Sequence, residues 1–526
     1  MEQRRGFPSS VDVAALLLTA GVCVAILANA SPYLRGPAPY PPDWQWPLRQ
    51  RLAFGRLGFS IGVLLLLYVV GAWSVRQTKA WSPVSFTATL GMVAVLAFAL
   101  QLALVSDETD RGGLTVVVER IRAPMFTSYY TVAVHPMCND VTEFLKLHAR
   151  TLHLLPCHAK THPIGAILFY RGIREVCEAW PALTRTVVET AHFFGVQFTA
   201  AEYANSPAAI ATALLGGVCL MALAAASCVS FGWLARLCGM QWQAAVSAAG
   251  LWACVPAFSL MTPEFDQLLA LPVTASAACM AGALRHAAGV HGRLIACVSA
   301  GVAAGLACLI SLGSLVFVGF GWLTAFLAAG PPGGQGVKSF VACAATASCA
   351  LLATFFVPSC WGHDTVGATR HALENHAAFI AGRSYLTWLL FNLADIGLFI
   401  SPAVMWFLAV ATGTCVAGIA RTRDWSVLAR AGRTRLVVGT MSAFLMSDVA
   451  GIVRGEAART WIPVMPFLLL AGLAAIDTPR LGVPLEGNAL ARGITDEWQA
   501  DRARRAVCFI CLAMTCLVIR VRWIVP

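Results

Sequence analysis

Two histidines and a lysine lie within five residues of one another in the segment 158–165 (HAKTHPIG). Lysine and protonated histidine donate charge-assisted hydrogen bonds, so a compact turn that contains them can hold a phosphate. A metal site would also use histidine, but no second cysteine or acid joins Cys157 in a known ligand pattern. The turn therefore predicts phosphate binding by His158, Lys160 and His162, and no metal ligands are assigned.

Carboxylates form a second set of candidates. Asp107, Glu108 and Asp110 follow directly after one apolar block, and Asp43 lies in a proline-rich stretch before the preceding block. A carboxylate within hydrogen-bond reach of a substrate hydroxyl serves as a general base. Asp43 has a second interpretation, as a solvated acid next to arginines, and both stay open.

Acids and arginines stand together at two further places. Glu264 and Asp266 lie at the head of one apolar block, and Arg454, Glu456 and Arg459 come just before another. Glu456 and Arg459 are three residues apart and can pair on one helix face. Either group is a candidate site, and a structural salt bridge is the alternative explanation for each.

The composition shows which elements must carry these groups. Hydrophobic residues make up 58% of the 526 residues and charged residues 12%, about half the share of a soluble domain. Apolar blocks such as 61–73 do not alternate with polar residues, which indicates helices rather than barrel strands. We predict an all-α integral membrane protein with about 13 transmembrane helices. The predicted spans are 11–30, 57–75, 84–105, 207–230, 242–260, 266–284, 293–312, 314–330, 339–357, 388–411, 436–452, 461–477 and 506–525.

Lysine and arginine concentrate in the short loops on the N-terminal side, which predicts a cytoplasmic N-terminus. Arg520 and Arg522, near the end of the last span, run against this bias. The candidate groups above then share the outer face. Its largest loop, 106–206, is too long for a simple connector and is predicted to carry short amphipathic helices.

Three parts are predicted along the chain. Residues 1–83 form a two-span hairpin with a proline-rich outer loop, 84–330 form a core that includes the outer loop 106–206, and 331–526 form the C-terminal spans with cytoplasmic basic loops. The net charge of +11 is explained by those loops facing anionic membrane lipid, so no nucleic-acid partner is predicted. Asn392 and Asp395 lie inside a predicted span, where ionisable groups are costly and tend to be functional.

Five short elements, spread over most of the chain, resemble the polytopic membrane glycosyltransferases of the GT-C type. The nearest branch uses dolichyl or undecaprenyl phosphate and includes protein mannosyltransferases and aminoarabinose transferases. The elements are 36–44 (GPAPYPPDW), 128–133 (SYYTVA), 160–163 (KTHP), 263–267 (PEFDQ) and 455–461 (GEAARTW).

The resemblance implies transfer of a sugar from a polyprenyl- or dolichyl-phosphate donor to an acceptor of unknown identity on the outer or lumenal face. The host membrane would be a plasma membrane or the endoplasmic reticulum. An outer-loop acid would act as base or bind a divalent metal, which is a possible cofactor, and basic residues would hold the donor phosphate. The implied base is one of Asp107, Glu108, Asp110 and Asp43. The implied phosphate ligands are Lys160, His162, His158, Arg459 and Arg454, with Glu264, Asp266 and Glu456 as further site residues.

The sequence departs from this family before Tyr129. Relatives carry an acidic pair there, whereas this chain reads MFTS at 125–128. The turn at 160–165 also lacks the double proline of relatives. A non-catalytic subunit of the same fold therefore stays an alternative. A secondary transporter is another, although no internal repeat is visible.

Overall fold

The computed structural model describes residues 9–37, 45–50, 52, 57–77, 81–107, 113–124, 128–156, 158–196, 206–285, 289–331, 333–423, 432–476 and 489–524. Across these ranges the regular structure is helical, and strand-like pairing is limited to one isolated bridge between Leu48 and Trp523. The α-helices are α1 Ser10–Ala28, α2 Gly58–Arg76, α3 Pro83–Ser106, α4 Gly113–Arg122, α5 Tyr129–Ala133, α6 Val141–Thr151, α7 Gly165–Ala179, α8 Pro181–Phe193, α9 Pro207–Leu237, α10 Trp242–Ala253, α11 Pro256–Leu260, α12 Phe265–Leu284, α13 Val290–Ile310, α14 Ser314–Ala329, α15 Gly334–Phe355, α16 Thr365–Ile380, α17 Tyr385–Ile400, α18 Pro402–Thr422, α19 Gly432–Val449, α20 Ala457–Thr460, α21 Met465–Ile476 and α22 Ala489–Arg522.

Within the described ranges, eight helical segments are long and apolar enough to cross a membrane. They lie in α1, α2, α3, α9, α12, α13, α15 and α18. Their side chains are apolar around the whole helix, as expected for segments surrounded by lipid and other helices. The chain is therefore an all-α, multi-pass membrane protein, as predicted. Shorter apolar helices accompany these spans, and the total of about thirteen stays a prediction.

Proline divides two of the predicted spans. The span 388–411 is interrupted between α17 and α18, where Ser401 adopts a φ of 100° directly before Pro402. The span 242–260 ends its first helix at Ala253 and resumes at Pro256. Proline lacks the backbone donor and restricts the residue before it, so the helix cannot continue through either site. The break between the predicted spans 293–312 and 314–330 is present, because α13 ends at Ile310 and α14 begins at Ser314.

Helices α4 to α8 form a cap, defined here as residues 113–196, and the face that carries them is called the cap face. As predicted for this loop, they are short, and α6 and α7 are strongly amphipathic. Tyr130, Ile167 and Tyr170 of the cap pack against Leu214 of α9 and Phe265 of α12. The cap therefore sits on the ends of α9 and α12, next to Glu264 and Asp266.

The end of α22 is tied to the same face. The backbone of Arg49 bonds to the carbonyl of Arg522 (2.9 Å), and the Arg522 guanidinium donates to the Arg49 carbonyl (3.0 Å). Arg520 donates to the carbonyl of Leu104 near the end of α3 (2.7 Å). Both arginines bind backbone carbonyls at this face, which explains why they stand where the charge bias of the loops disfavours them.

Candidate functional site

A buried group of charged side chains lies where the cap meets the start of α12. Arg459, on the short helix α20, is at its centre. Its Nη2 lies 2.8 Å from Oε2 of Glu456, and its Nε lies 3.4 Å from Oδ2 of Asp266. We call Glu264, Asp266, Glu456 and Arg459 the charged cluster. The predicted helical pairing of Glu456 with Arg459 is present, and the structure adds an acid from a distant part of the chain.

The local sequence explains why the acids stand at this point. Glu264 caps the start of α12, and its backbone N–H donates to the side chain of Gln267 (3.2 Å). Asp266 lies in the first helical turn, where negative charge interacts favourably with the helix dipole. Arg120 of α4 donates to the carbonyl of Thr262 and so fixes the approach to this helix end.

Burial gives Glu264 a higher pKa than that of an ordinary glutamate. The residue is 4% exposed, and burial raises its pKa to about 8, an effect that the charge of Arg459 partly offsets. Its Oε1 is buried without a hydrogen-bond partner among the described residues. At neutral pH this carboxyl group therefore retains its proton, and one oxygen is available to a ligand.

Arg459 stays charged despite its burial. Burial alone would lower its pKa, but Glu456, Glu264 and Asp266 together raise the pKa above the ordinary value. Glu456 is also 3.8 Å from Nη2 of Arg383, which sequence reasoning did not single out. The signal for Arg383 is weak in the sequence, because it is one arginine in a polar loop about seventy residues from its partner.

Tyr129 and His162 border the charged cluster on the side of the cap. The Tyr129 ring makes edge contacts with Phe265 (5.1 Å between centroids) and His162 (5.6 Å). Burial and then Asp266 raise the pKa of Tyr129 well above its usual value, so its hydroxyl is neutral. Its hydroxyl has no hydrogen-bond partner within the described residues and is available as a donor.

The segment 158–165 forms the predicted compact turn. Ser128 holds it, because its hydroxyl accepts from the N–H of Ala159 (2.9 Å) and donates to the carbonyl of Pro156 (3.3 Å). Since Ser128 directly precedes Tyr129, the turn and that ring are positioned together. Asn375 of α16 donates to the carbonyl of Lys160 (3.0 Å) from the other side.

The turn is less cationic than predicted. Nδ1 of His162 lies 3.0 Å from the carbonyl oxygen of His158 and therefore donates its hydrogen to it, since a carbonyl can only accept. Burial, followed by the charge of His158, lowers the pKa of His162 to about 3. His162 is thus a neutral ring with Nε2 as an acceptor. Lys160 is partly exposed, and its ammonium group has no ion pair within the described residues.

The remaining candidates are placed apart from the charged cluster or are not described. Arg454 donates to the carbonyl of Arg383 (3.1 Å) and stacks on Tyr385, so it supports Arg383 rather than facing the acids. Asp107 ends α3 and accepts from the hydroxyl of Ser60 in α2 (2.5 Å). Three further predicted acids lie outside the described residues, namely Asp43, Glu108 and Asp110.

Asp395 and Asn392 have defined structural partners. Asp395 accepts from Nε1 of Trp46 and from the N–H of Ala458, both at 2.8 Å. Asn392 donates to Asp448 (2.9 Å) and to the carbonyl of Val453 (2.9 Å). These bonds join the loop after α1 to α17, α19 and α20. Within the described residues, no group of three or more His, Cys, Asp or Glu is arranged to hold a metal ion.

Comparisons with known proteins add little to these findings. No family model and no curated protein matches the sequence. The crystal structure of the Archaeoglobus fulgidus oligosaccharyltransferase in complex with zinc and sulfate aligns with 80% of this chain, at 13% identity and a TM-score of 0.34. The alignment covers 53% of that protein, so the chain spans about half its length.

Proposed function

We propose that this protein is a membrane glycosyltransferase that moves a sugar from a polyprenyl- or dolichyl-phosphate donor to an acceptor hydroxyl at the cap face, with the N-terminus in the cytoplasm. The observation that carries the proposal is the charged cluster, which places a carboxylate, a protonated carboxyl group and a buried arginine beside the cap. The resemblance of the sequence to GT-C enzymes implies the same chemistry on the same face.

The cluster offers a group for each part of the reaction. Asp266 takes the proton from the acceptor hydroxyl as the hydroxyl oxygen forms its bond to the anomeric carbon. The bond from that carbon to the phosphate oxygen breaks, and the phosphate leaves with the electron pair. Lys160 and Arg459 offer positive charge to that phosphate. Tyr129 and protonated Glu264 are further hydrogen-bond donors beside them.

Lys160 is the residue to test first, because its charge is not balanced by a carboxylate of the described residues. The arginines Arg459 and Arg383 are balanced by Asp266 and Glu456 through the ion pairs described above. A leaving phosphate gains most from a cation that is not already neutralised by a carboxylate. Lys160 is that cation in the turn.

The test is glycosyl transfer in reconstituted vesicles, with a panel of radiolabelled polyprenyl-phosphate sugars and the label followed into acceptor. Lys160→Ala should lower transfer by about 100-fold or more, in the range for loss of one group that stabilises developing charge. Lys146→Ala is the matched control, because Lys146 is an exposed lysine of the same cap. Equal activity of the two variants would remove Lys160 from the mechanism.

One observation favours a second candidate, a non-catalytic membrane subunit of the same fold. Residues 125–128 hold no acid before Tyr129, and the charges of the cluster are balanced once Arg383 is counted. Absence of transfer from every donor by folded protein would support this candidate. Transfer that Asp107→Asn abolishes and Asp266→Asn spares would instead make Asp107 the base.

A further inference from the structure

A groove lies on the far side of the molecule from the charged cluster. It is formed by the second half of α2, the middle of α10 and the part of α22 around Phe509. Its position follows from the helix directions, because α2 begins on the cap face and ends at Arg76 on the opposite face. The groove is open on one side, and its cavity volume is about 170 Å³.

The lining changes from charged to apolar along the groove. Arg76 is the last residue of α2, and Arg505 precedes Phe509 by one turn of α22. Since α22 ends at the cap face, Arg505 lies toward the opposite face, as Arg76 does. The two arginines therefore share one end. From there the α2 wall runs back to Leu67, a length of about 13 Å at the rise of an α-helix.

Small residues provide the depth of the groove. Gly71 and Gly250 line it, and a Cβ atom built on either would meet no other atom within 4 Å. Tyr68 and Phe509 form a wall with ring centroids 5.3 Å apart. The space between these helices is thus open and apolar, and it is not closed by a side chain from the described residues.

The charged end is held in register by contacts at the same face. Arg504 lies 3.5 Å from Asp12 near the start of α1, and this pair fixes α22 beside α1. Gln243 donates to the carbonyl of Gln77 just beyond α2 (3.4 Å), which fixes α10 beside α2. Arg76 is exposed, and its guanidinium forms no ion pair with an acid of the described residues, so its charge faces outward.

We propose that this groove binds one anionic phospholipid from the leaflet opposite the cap face. The phosphate headgroup lies between Arg76 and Arg505, and an acyl chain runs along Gly71 toward Leu67. We choose a lipid as the occupant because the groove runs from a charged end to an apolar end along the membrane normal. A lipid has its charged headgroup and apolar chain in that order. The commitment to an anionic lipid rests on the two arginines, since basic residues at the membrane surface favour anionic headgroups.

The test uses the full-length protein in vesicles of equal parts phosphatidylcholine and phosphatidylglycerol, followed by native mass spectrometry of the lipid that stays bound. Wild type should retain one phosphatidylglycerol in preference to phosphatidylcholine. The double variant Arg76→Gln, Arg505→Gln should lower that preference by roughly tenfold. Lys338→Gln is the matched control, because Lys338 is an exposed cation near the start of α15, outside the groove lining.

A second variant separates the apolar part from the charged part. Gly71→Phe places a large ring in the groove and should reduce bound lipid of either type, whereas Gly71→Ala should leave binding unchanged, because a Cβ atom at this position meets no other atom within 4 Å. Equal retention of the two lipids by wild type, or unchanged retention in both the arginine and phenylalanine variants, would overturn the proposal. Displacement of phosphatidylglycerol by an equal amount of undecaprenyl phosphate would also overturn it, by identifying a different occupant.

Discussion

Two acids at the cap face, Asp395 and Glu264, differ in how completely they are hydrogen-bonded. Asp395 has a donor on each oxygen, from Trp46 and Ala458. Glu264 has one oxygen without a hydrogen-bond partner among the described residues, although the residue is buried. A fully bonded carboxylate holds structure together, because every bond must break if it moves. An enclosed carboxyl group with an open oxygen is suited to a ligand.

If the charged cluster is the catalytic site, the largest effect on sugar transfer is expected for a substitution at Asp266. Asp266→Asn removes the proposed base and should lower transfer by 100-fold to 10,000-fold, the usual range for a general base. The readout is transfer of radiolabelled sugar at saturating donor, with the unfolding temperature as a control for folding. Activity within a few-fold of wild type would show that the cluster has a structural role, as Asp395 has.

The next effect is expected at Asp395 and concerns stability. Asp395→Ala leaves the Trp46 and Ala458 donors buried without an acceptor, and about 3 kcal/mol should be lost from the free energy of unfolding. Asp395→Asn keeps one acceptor oxygen and should lose about half as much. Chemical denaturation in detergent measures both. If the alanine variant is as stable as wild type, these bonds do not hold the cap face together.

The third effect is a pH dependence at Glu264. Because its folded pKa of about 8 lies above the ordinary value of 4.5, the folded state binds the extra proton between these values. Stability should therefore decline as pH rises from about 5 through 8, and transfer that uses the protonated group should fall above pH 8. Glu264→Gln should flatten both dependences. A wild-type profile that stays flat from pH 6 to 9 would contradict the assignment.

The smallest effect is expected in a pair of cap-face histidines. His148 Nδ1 lies 3.1 Å from Nε2 of His363, which contacts Thr365 in turn. Burial and then His363 lower the pKa of His148 to about 3, and burial lowers that of His363. The unfolded state therefore binds more protons below pH 6.5. Stability should fall with acidification, by at most about 1.4 kcal/mol per pH unit for each ring.

His148→Phe tests this dependence, because the substitution keeps an aromatic ring and removes one of the two titrating groups. Between pH 7 and pH 5, the unfolding temperature should change less with pH for the variant than for wild type. Transfer at pH 7 should be unchanged, since His148 lies outside the charged cluster. A large loss of transfer at pH 7 would show that buried polar groups outside the cluster also serve the reaction.

The fold was largely predictable from the sequence, and the site was predictable in part. Long apolar blocks identify helices, and the pairing of Glu456 with Arg459 follows from a spacing of three residues. Contacts between residues that are far apart in the sequence leave no such regular spacing. Asp266 meets Arg459 only because the start of α12 lies beside α20, and Trp46 meets Asp395 across 349 residues. The sequence predicted a protonated His162, whereas burial lowers the pKa of this ring, and burial depends on neighbours that the sequence does not reveal.

The bridge between residues 47–49 and 522–524 has a consequence for biosynthesis. A ribosome and translocon deliver the loop after α1 early, whereas its partners at the end of α22 emerge hundreds of codons later. Residues 47–49 therefore wait, without these bonds, through the insertion of every intervening helix. The cap face can therefore complete these contacts only after α22 has been inserted. A ribosome stalled before α22 would leave an inserted intermediate whose first loop is still accessible to chaperones and proteases.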